Sequence, residues 1–284
     1  MPKIAYVNGR YEPLAAAEVN IEDRGYQFAD GVYEVCVVID GRYWDEEGHL
    51  ARLRRSLGEL QIASPMSDAA LRNVMRQILR RNRLTSALVY IQVTRGVAPR
   101  NHPFPERVTR PSIVVTAKRI DIEKNNRLAK KGLAVISAPD IRWARADIKS
   151  VSLLPNILAR QAAAKANASE AWLVRDGMIT EGSASNAWIV TEAGEIVTHP
   201  LTNAILGGIT RSTVLKCAEE LQMKVVERAF SLDEARKARE AFLTSATNFV
   251  MPIVSLDGGK VGDGKPGPVA ARLREAYMDH CGAG

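Results

Sequence analysis

Two short stretches of the chain hold residue types that can do chemistry. Lys149 lies in Ile148-Lys149-Ser150-Val151-Ser152-Leu153-Leu154-Pro155, among apolar and small hydroxyl residues. A lysine drawn out of water favours its neutral form and can act as a nucleophilic amine. The competing reading is a lysine whose stem packs while its head reaches solvent. The second stretch is Leu206-Gly207-Gly208-Ile209-Thr210-Arg211. A Gly-Gly turn that opens a helix presents backbone N–H groups at the positive end of the helix dipole, which suits a phosphate. Thr210 would add a hydroxyl. The competing reading is an ordinary loop with Thr210 as the N-cap.

Other chemistries find little support. The sequence has no G-x-x-x-x-G-K-[ST], no H-E-x-x-H and no paired C-x-x-C. Four histidines and three scattered cysteines (Cys36, Cys217 and Cys281) do not suggest a metal cage. The odd, widely spaced thiols fit free cysteines in a reducing cytoplasm better than a disulfide framework. No run of 18 apolar residues suggests a membrane span, and residues 1–9 lack the apolar core of a secretory signal.

With 284 residues, 46% of them hydrophobic and 25% charged, the chain is long enough to bury its own core. The net charge of +7 lies wholly in residues 1–142, while residues 143–284 balance to zero. A basic solvated surface or a field attracting small anions would each account for this. Nucleic acid is not expected, because zinc-finger spacing, an RNP-like aromatic run and a polybasic tail are all missing.

The elements that must position these residues can be read from pattern. Ala5-Tyr6-Val7 runs into Asn8-Gly9, and Tyr33-Glu34-Val35-Cys36-Val37-Val38-Ile39 ends at Asp40-Gly41; both are hairpin signals. Leu50, Leu53, Leu57 and Leu60 predict one helix. Ser67 caps a second, with Leu71, Val74, Met75, Ile78 and Leu79 on one face. Strands follow at 87–94 and 112–116. This order predicts a small α+β domain over 1–118. The charged stretch 119–132 reads as a linker, and a larger domain occupies 133–284. In it a helix is expected at 154–166, strands at 171–175, 184–190 and 242–244, and a helix after Gly208. The capping box Ser231-Leu232-Asp233-Glu234 predicts a short helix. A hairpin at Asp257-Gly258-Gly259 and a C-terminal helix complete it. The lack of strict βαβ alternation argues against a Rossmann or TIM-barrel fold.

Several stretches, in order, resemble one family. They are Asp23-Arg24-Gly25-Tyr26-Gln27-Phe28-Ala29-Asp30-Gly31-Val32-Tyr33-Glu34, His49-Leu50-Ala51-Arg52-Leu53, Thr94-Arg95-Gly96 with Arg100-Asn101-His102, Ile148-Lys149-Ser150, Thr180-Glu181-Gly182-Ser183-Ala184-Ser185-Asn186 and Gly208-Ile209-Thr210-Arg211. Over nearly its whole length the chain resembles the class IV, or fold type IV, pyridoxal-phosphate aminotransferases. Within them it is most similar to bacterial D-amino acid aminotransferases. The resemblance implies a two-domain α+β and α/β fold with pyridoxal 5'-phosphate in the cleft between the domains. It also implies reversible amino transfer from a D-amino acid to a 2-oxo acid, with D-alanine and 2-oxoglutarate as the leading pair.

The same resemblance assigns roles. Lys149 matches the lysine that bonds to the cofactor aldehyde as a Schiff base and later serves as the base. Glu181 matches the carboxylate that pairs with the pyridine nitrogen. Arg52 matches the arginine on the cofactor phosphate, and the amides of Ile209 and Thr210 join it there. Leu206, Ser245 and Ala246 complete the expected cofactor contacts. Tyr33, Arg100 and His102 match the substrate carboxylate site, with Thr247 beside them. In the subfamily the arginine and histidine come from a neighbouring subunit, so a homodimer is implied. Three positions depart from relatives: Ala246 where a threonine is common, Phe249 where an acid is common, and Gly207 where some carry lysine. A branched-chain L-amino acid aminotransferase, an (R)-amine aminotransferase and an aminodeoxychorismate lyase are the alternatives.

Overall fold

The computed structural model describes residues 3–107 and 109–282. The chain divides into two units, Met1–Ile120 with Ile148–Ser152, and Asp121–Asp147 with Leu153–Gly284.

The first unit contains β1 (Ile4–Val7), β2 (Arg10–Pro13), α1 (Arg24–Phe28), β3 (Gly31–Ile39), β4 (Arg42–Trp44), α2 (Glu46–Glu59), α3 (Asp68–Asn82), β5 (Ala87–Thr94) and β6 (Ser112–Arg119). Its six strands form one antiparallel sheet in the order β2-β1-β6-β5-β3-β4. Both expected hairpins form, with Asn8, Gly9, Asp40 and Gly41 all at positive φ, as tight two-residue turns require. Alternation sorts the side chains of β3. Val32, Cys36 and Val38 join a core with Leu50, Leu53 and Leu57 of α2 and Leu71, Met75 and Ile78 of α3. Ser67 caps α3 through its side chain, which accepts from the Ala70 amide.

One piece of this sheet comes from far along the chain. β4 pairs only with the last third of β3, Val37 to Ile39. Beside the first third, Tyr33 N–H donates to the Lys149 carbonyl at 2.9 Å and Val151 N–H to the Gly31 carbonyl at 3.1 Å. Val32 and Ser150 form an isolated bridge, and Ile148 is buried in the same core. Lys149 is thereby built into the edge of β3.

The second unit contains α4 (Ile122–Lys131), β7 (Leu133–Pro139), α5 (Leu154–Lys165), β8 (Glu170–Arg175), β9 (Met178–Gly182), β10 (Asn186–Val190), β11 (Ile196–Thr198), α6 (Ile209–Glu220), β12 (Val225–Glu227), β13 (Phe230–Ser231), α7 (Leu232–Arg236), β14 (Glu240–Ser245), β15 (Phe249–Leu256), β16 (Gly259–Lys260) and α8 (Pro268–Gly282). Its mixed sheet runs β12-β11-β10-β14-β15-β7-β8-β9-β13, with β16 on β15. Parallel pairs (β7 with β8, β7 with β15, β11 with β12) sit among antiparallel ones. Trp172, Phe230, Leu243, Met251 and Ile253 fill its core. The capping box at Ser231 and Glu234 forms in full.

Where a linker was expected at 119–132, the chain forms α4. Asp121 caps it by accepting from the Lys124 amide. Its charged composition misled because only a narrow stripe faces inward, including Asn125 and Ala129. Asn125 is a working part: its amide donates to the Thr247 carbonyl at 3.0 Å and its oxygen accepts from Arg274 at 2.6 Å. Arg274 also donates to the carbonyls of Asn248 and Val250. The turn between β14 and β15 is thus braced from α4 and α8. Burial pushes the Arg274 pKa down to about 10.

Candidate active site

In the first unit, Lys149 Nζ lies 4.4 Å from the centre of the Tyr33 ring. Among the described residues it has no hydrogen-bond or ion-pair partner. The Lys149 amide donates to Ser56 Oγ on α2 at 3.3 Å, so backbone bonds fix this residue on both sides. Tyr33 stacks on Tyr90 at 5.6 Å, on the face of β3 opposite the leucine core. An amine held over an aromatic ring at a strand edge is of a type that can act as nucleophile or base.

Arg52, on α2, is not on the exposed side of the leucine helix. Its Nε donates to Glu34 Oε2 at 2.9 Å and a terminal nitrogen to Glu34 Oε1 at 2.6 Å. His49 Nδ1 meets the same Oε1 at 3.0 Å. Glu34 is fully buried. Burial would raise its pKa, but Arg52 and His49 outweigh that and hold it well below the usual carboxylate range. Burial likewise opposes the Arg52 charge, and Glu34 more than compensates. Glu34 therefore fixes the plane of the guanidinium, and an oriented fork is the geometry that recognises a phosphate.

In the second unit, Glu181 on β9 collects donors from three directions. The Leu206 amide reaches both its oxygens at 3.1 Å, Asn186 Nδ2 donates to Oε2 at 3.0 Å, and Arg142 donates to Oε1. Asn186 Nδ2 also donates to the Leu206 carbonyl at 2.9 Å, which ties the carboxylate to the segment before α6. Arg142 is itself held by Asp140 and by the Ala204 carbonyl at 2.8 Å. Burial acts against the Arg142 charge, but its bonds to Asp140 and the charge of Glu181 raise its pKa above the ordinary arginine value.

Gly208 is the N-cap of α6, and no side chain caps this helix start. Thr210 is not the cap; it lies inside the first turn, buried. The amides of Ile209 and Thr210 therefore stand at an uncapped helix N-terminus. Gly208 has ordinary dihedrals, so its lack of a side chain serves close approach instead: a Cβ there would lie 2.0 Å from Asn186 Oδ1. Ser245 ends β14, and Ala246 and Thr247 form the turn to β15. Ser245 Oγ accepts from the Asn248 amide at 3.1 Å and lies 3.3 Å from Thr247 Oγ1. Phe249 takes φ +59° and packs against Tyr277 of α8.

Arg100 and His102 lie on an exposed loop after β5. Gly96 starts that loop at φ +97°, and a Cβ there would fall 2.1 Å from the Arg110 carbonyl oxygen.

A class IV aminotransferase model, "Amino-transferase class IV", matches residues 31–256. The chain belongs to the class IV aminotransferases. It is 41% identical to a D-alanine aminotransferase of Bacillus licheniformis over 96% of its own length and 95% of that protein's. Identity is 39% to a D-alanine aminotransferase of Staphylococcus haemolyticus, over 96% and 95% of the two chains. Among solved structures, a branched-chain amino acid aminotransferase of T.th. with pyridoxamine 5'-phosphate superposes with a TM-score of 0.88. That match has 25% identity and covers 98% of this chain and 94% of that one. The chain is thus an aminotransferase with the mixed α/β architecture of its family, and its cofactor is pyridoxal 5'-phosphate.

Taken unit by unit, the residues fit that group: in the second unit an uncapped helix start suits a phosphate and a donor-held carboxylate suits a pyridine nitrogen. In the first unit an oriented arginine suits a phosphate and an amine over a tyrosine suits an aldehyde. Sequence reasoning missed Glu34, His49 and Arg142. Glu34 did carry a signal, since a carboxylate at an inward position of an alternating strand requires a buried cation. Arg142 carried none, because apart from Asp140 its partners lie 38 to 62 positions further along the chain.

Proposed function

We propose that this enzyme moves an amino group from a D-amino acid, D-alanine foremost, to 2-oxoglutarate. The observation that carries this reading is the near-full-length match at 39–41% identity to D-alanine aminotransferases. When bound, the cofactor supplies an aldehyde carbon that takes up the amino nitrogen and a pyridine ring that accepts electrons from the substrate α-carbon. Lys149 Nζ would hold the cofactor at its aldehyde and would serve as the base for the proton on the substrate α-carbon. Glu181, oriented by Arg142, Asn186 and the Leu206 amide, holds a proton on the ring nitrogen. Arg52, the amides of Ile209 and Thr210, and the turn at Ser245 and Ala246 bind the phosphate. Tyr33, Arg100 and His102 take the substrate carboxylate, with Thr247 near it.

The assembly proposed is a homodimer in which Arg100 and His102 act in the partner's site. In support, α5 exposes Leu154, Ile157 and Leu158 at helical spacing, 73%, 57% and 60% accessible, a face left largely open by the described residues. The odd number and wide spacing of Cys36, Cys217 and Cys281 are in keeping with a cytoplasmic protein.

The test is a panel of D- and L-amino acids offered with 2-oxoglutarate, with glutamate formation as the readout. D-alanine should be the better donor by a wide margin. A preference for L-leucine would replace this reading with the branched-chain one.

A further inference from the structure

Helix α1 and the loop after β5 meet at one aromatic ring. The Arg100 guanidinium carbon lies 5.1 Å from the centre of the Phe28 ring, the His102 ring 5.5 Å and the Arg24 guanidinium carbon 4.9 Å. Arg24 also holds the loop's backbone. One of its terminal nitrogens donates to the Asn101 carbonyl at 2.6 Å and the Pro103 carbonyl at 3.3 Å, and the other to the His102 carbonyl at 3.2 Å. Three consecutive carbonyls are thus gathered by one guanidinium.

That guanidinium is in turn anchored. Its Nε donates to Asp30 at 2.8 Å, and Asp30 also accepts from Arg95 at 2.7 and 3.0 Å. Arg95 reaches the carbonyls of Leu60 and Gln61 beyond α2 and stacks 3.6 Å above Phe104. Arg24 and Arg95 are both buried, whereas Arg100 and His102 are exposed. An exposed arginine samples many rotamers, and ordering them on binding weakens affinity. A ring face beneath the guanidinium restricts that sampling before any ligand arrives.

We infer that Phe28 is a positioning residue for substrate carboxylate recognition: it is the shelf on which Arg100 and His102 are pre-set, while Arg24 fixes the loop under them. This rests on the reading that Arg100 and His102 bind the substrate carboxylate. Phe28 touches neither substrate nor cofactor in this role, so its effect falls on KM.

The experiment compares wild type, Phe28→Leu, Phe28→Tyr, Arg100→Ala and the Phe28→Leu/Arg100→Ala double variant as cofactor-loaded enzymes. KM and kcat are measured for D-alanine and for 2-oxoglutarate, and loading is checked by visible absorbance. Phe28→Leu should raise both KM values about 3- to 30-fold with kcat nearly unchanged. Phe28→Tyr, which keeps the ring face, should restore them. The double variant should fall short of additivity, exceeding Arg100→Ala alone only by what His102 loses without the ring. Should Phe28→Leu fail to load cofactor, Phe28→Met keeps the bulk without the ring and is read the same way. Unchanged KM in Phe28→Leu, or effects that simply add in the double variant, overturns the shelf while leaving Arg100 its role. Unchanged KM in Arg100→Ala removes the carboxylate reading, and the shelf with it.

Discussion

Tyr33 and Lys149 are joined twice: the Tyr33 amide donates to the Lys149 carbonyl at 2.9 Å, and the Lys149 amine rests 4.4 Å from the Tyr33 ring centre. One residue thus sets both the backbone and the head group of Lys149. Lys149→Ala should abolish amino transfer and the visible band of the lysine-bound cofactor, while leaving the fold intact by circular dichroism. Retained turnover near the wild-type rate would remove Lys149 from the chemistry.

Glu181→Gln keeps the shape of a side chain held by Arg142, Asn186 and the Leu206 amide. The variant should still load cofactor but slow the half-reaction at least ~100-fold, about 2.7 kcal/mol of barrier. Stopped-flow traces with D-alanine alone measure this. Rates within threefold of wild type would exclude the ring-nitrogen role.

Arg52→Ala should weaken cofactor binding about 10- to 150-fold, the loss of a charged hydrogen bond of roughly 1.5–3 kcal/mol. It also strips the buried Glu34 of its bidentate partner, leaving it His49 and the Val35 amide. The apoprotein should therefore melt earlier than wild-type apoprotein. Cofactor titration and thermal melts separate the two effects, and unchanged affinity in the titration would refute the phosphate contact.

Glu34 makes the acid response specific. Its folded pKa lies below the ordinary value of 4.5, so its stabilisation is complete above that value. As the pH falls, the unfolded chain takes up its proton first, and stability declines until the folded carboxylate is also protonated. Glu34→Gln should have a lower melting temperature at pH 7 yet a shallower decline from about pH 5 downward. Parallel declines in the two proteins would show that Glu34 is not the group responsible.

Arg100→Ala should raise KM for D-alanine and 2-oxoglutarate and spare the cofactor spectrum. If Arg100 serves the partner's site, mixing inactive Lys149→Ala with Arg100→Ala subunits should recover activity, since one site then has both residues. Exchange demonstrated by mass, with no recovery, would place the carboxylate site within one subunit.

Pattern predicted the parts whose causes are local. The Leu50, Leu53 and Leu57 stripe, the Ser67 cap, the Ser231 capping box and the turns at Asn8-Gly9 and Asp40-Gly41 each act within a few residues. Helix α1 escaped notice because five residues are too short for a periodic signal. Helix α4 was obscured by its charged surface. Lys149 and the helix start at Gly208 were visible as chemistry, but the residues that aim them were not. Glu34 meets Arg52 across 18 positions, Arg142 meets Glu181 across 39, and Arg24 meets Asn101 across 77. Such pairs are set by how sheets close, and no spacing rule within a single sequence reaches that far.

The insertion of Ile148–Ser152 beside β3 also has a consequence during synthesis. When the ribosome has made residues 1–120, every strand of the first sheet exists, yet Gly31 and Tyr33 still lack the partners that Val151 and Lys149 will bring. At roughly 5–20 residues per second, some 30 further residues occupy the nascent chain for about 1.5–6 seconds. Throughout that interval the first third of β3 is an open strand edge, the kind of surface to which other nascent chains adhere. The segment that carries the amine proposed to meet the cofactor is therefore also the one that closes this edge, so the sheet is finished only when Lys149 is installed.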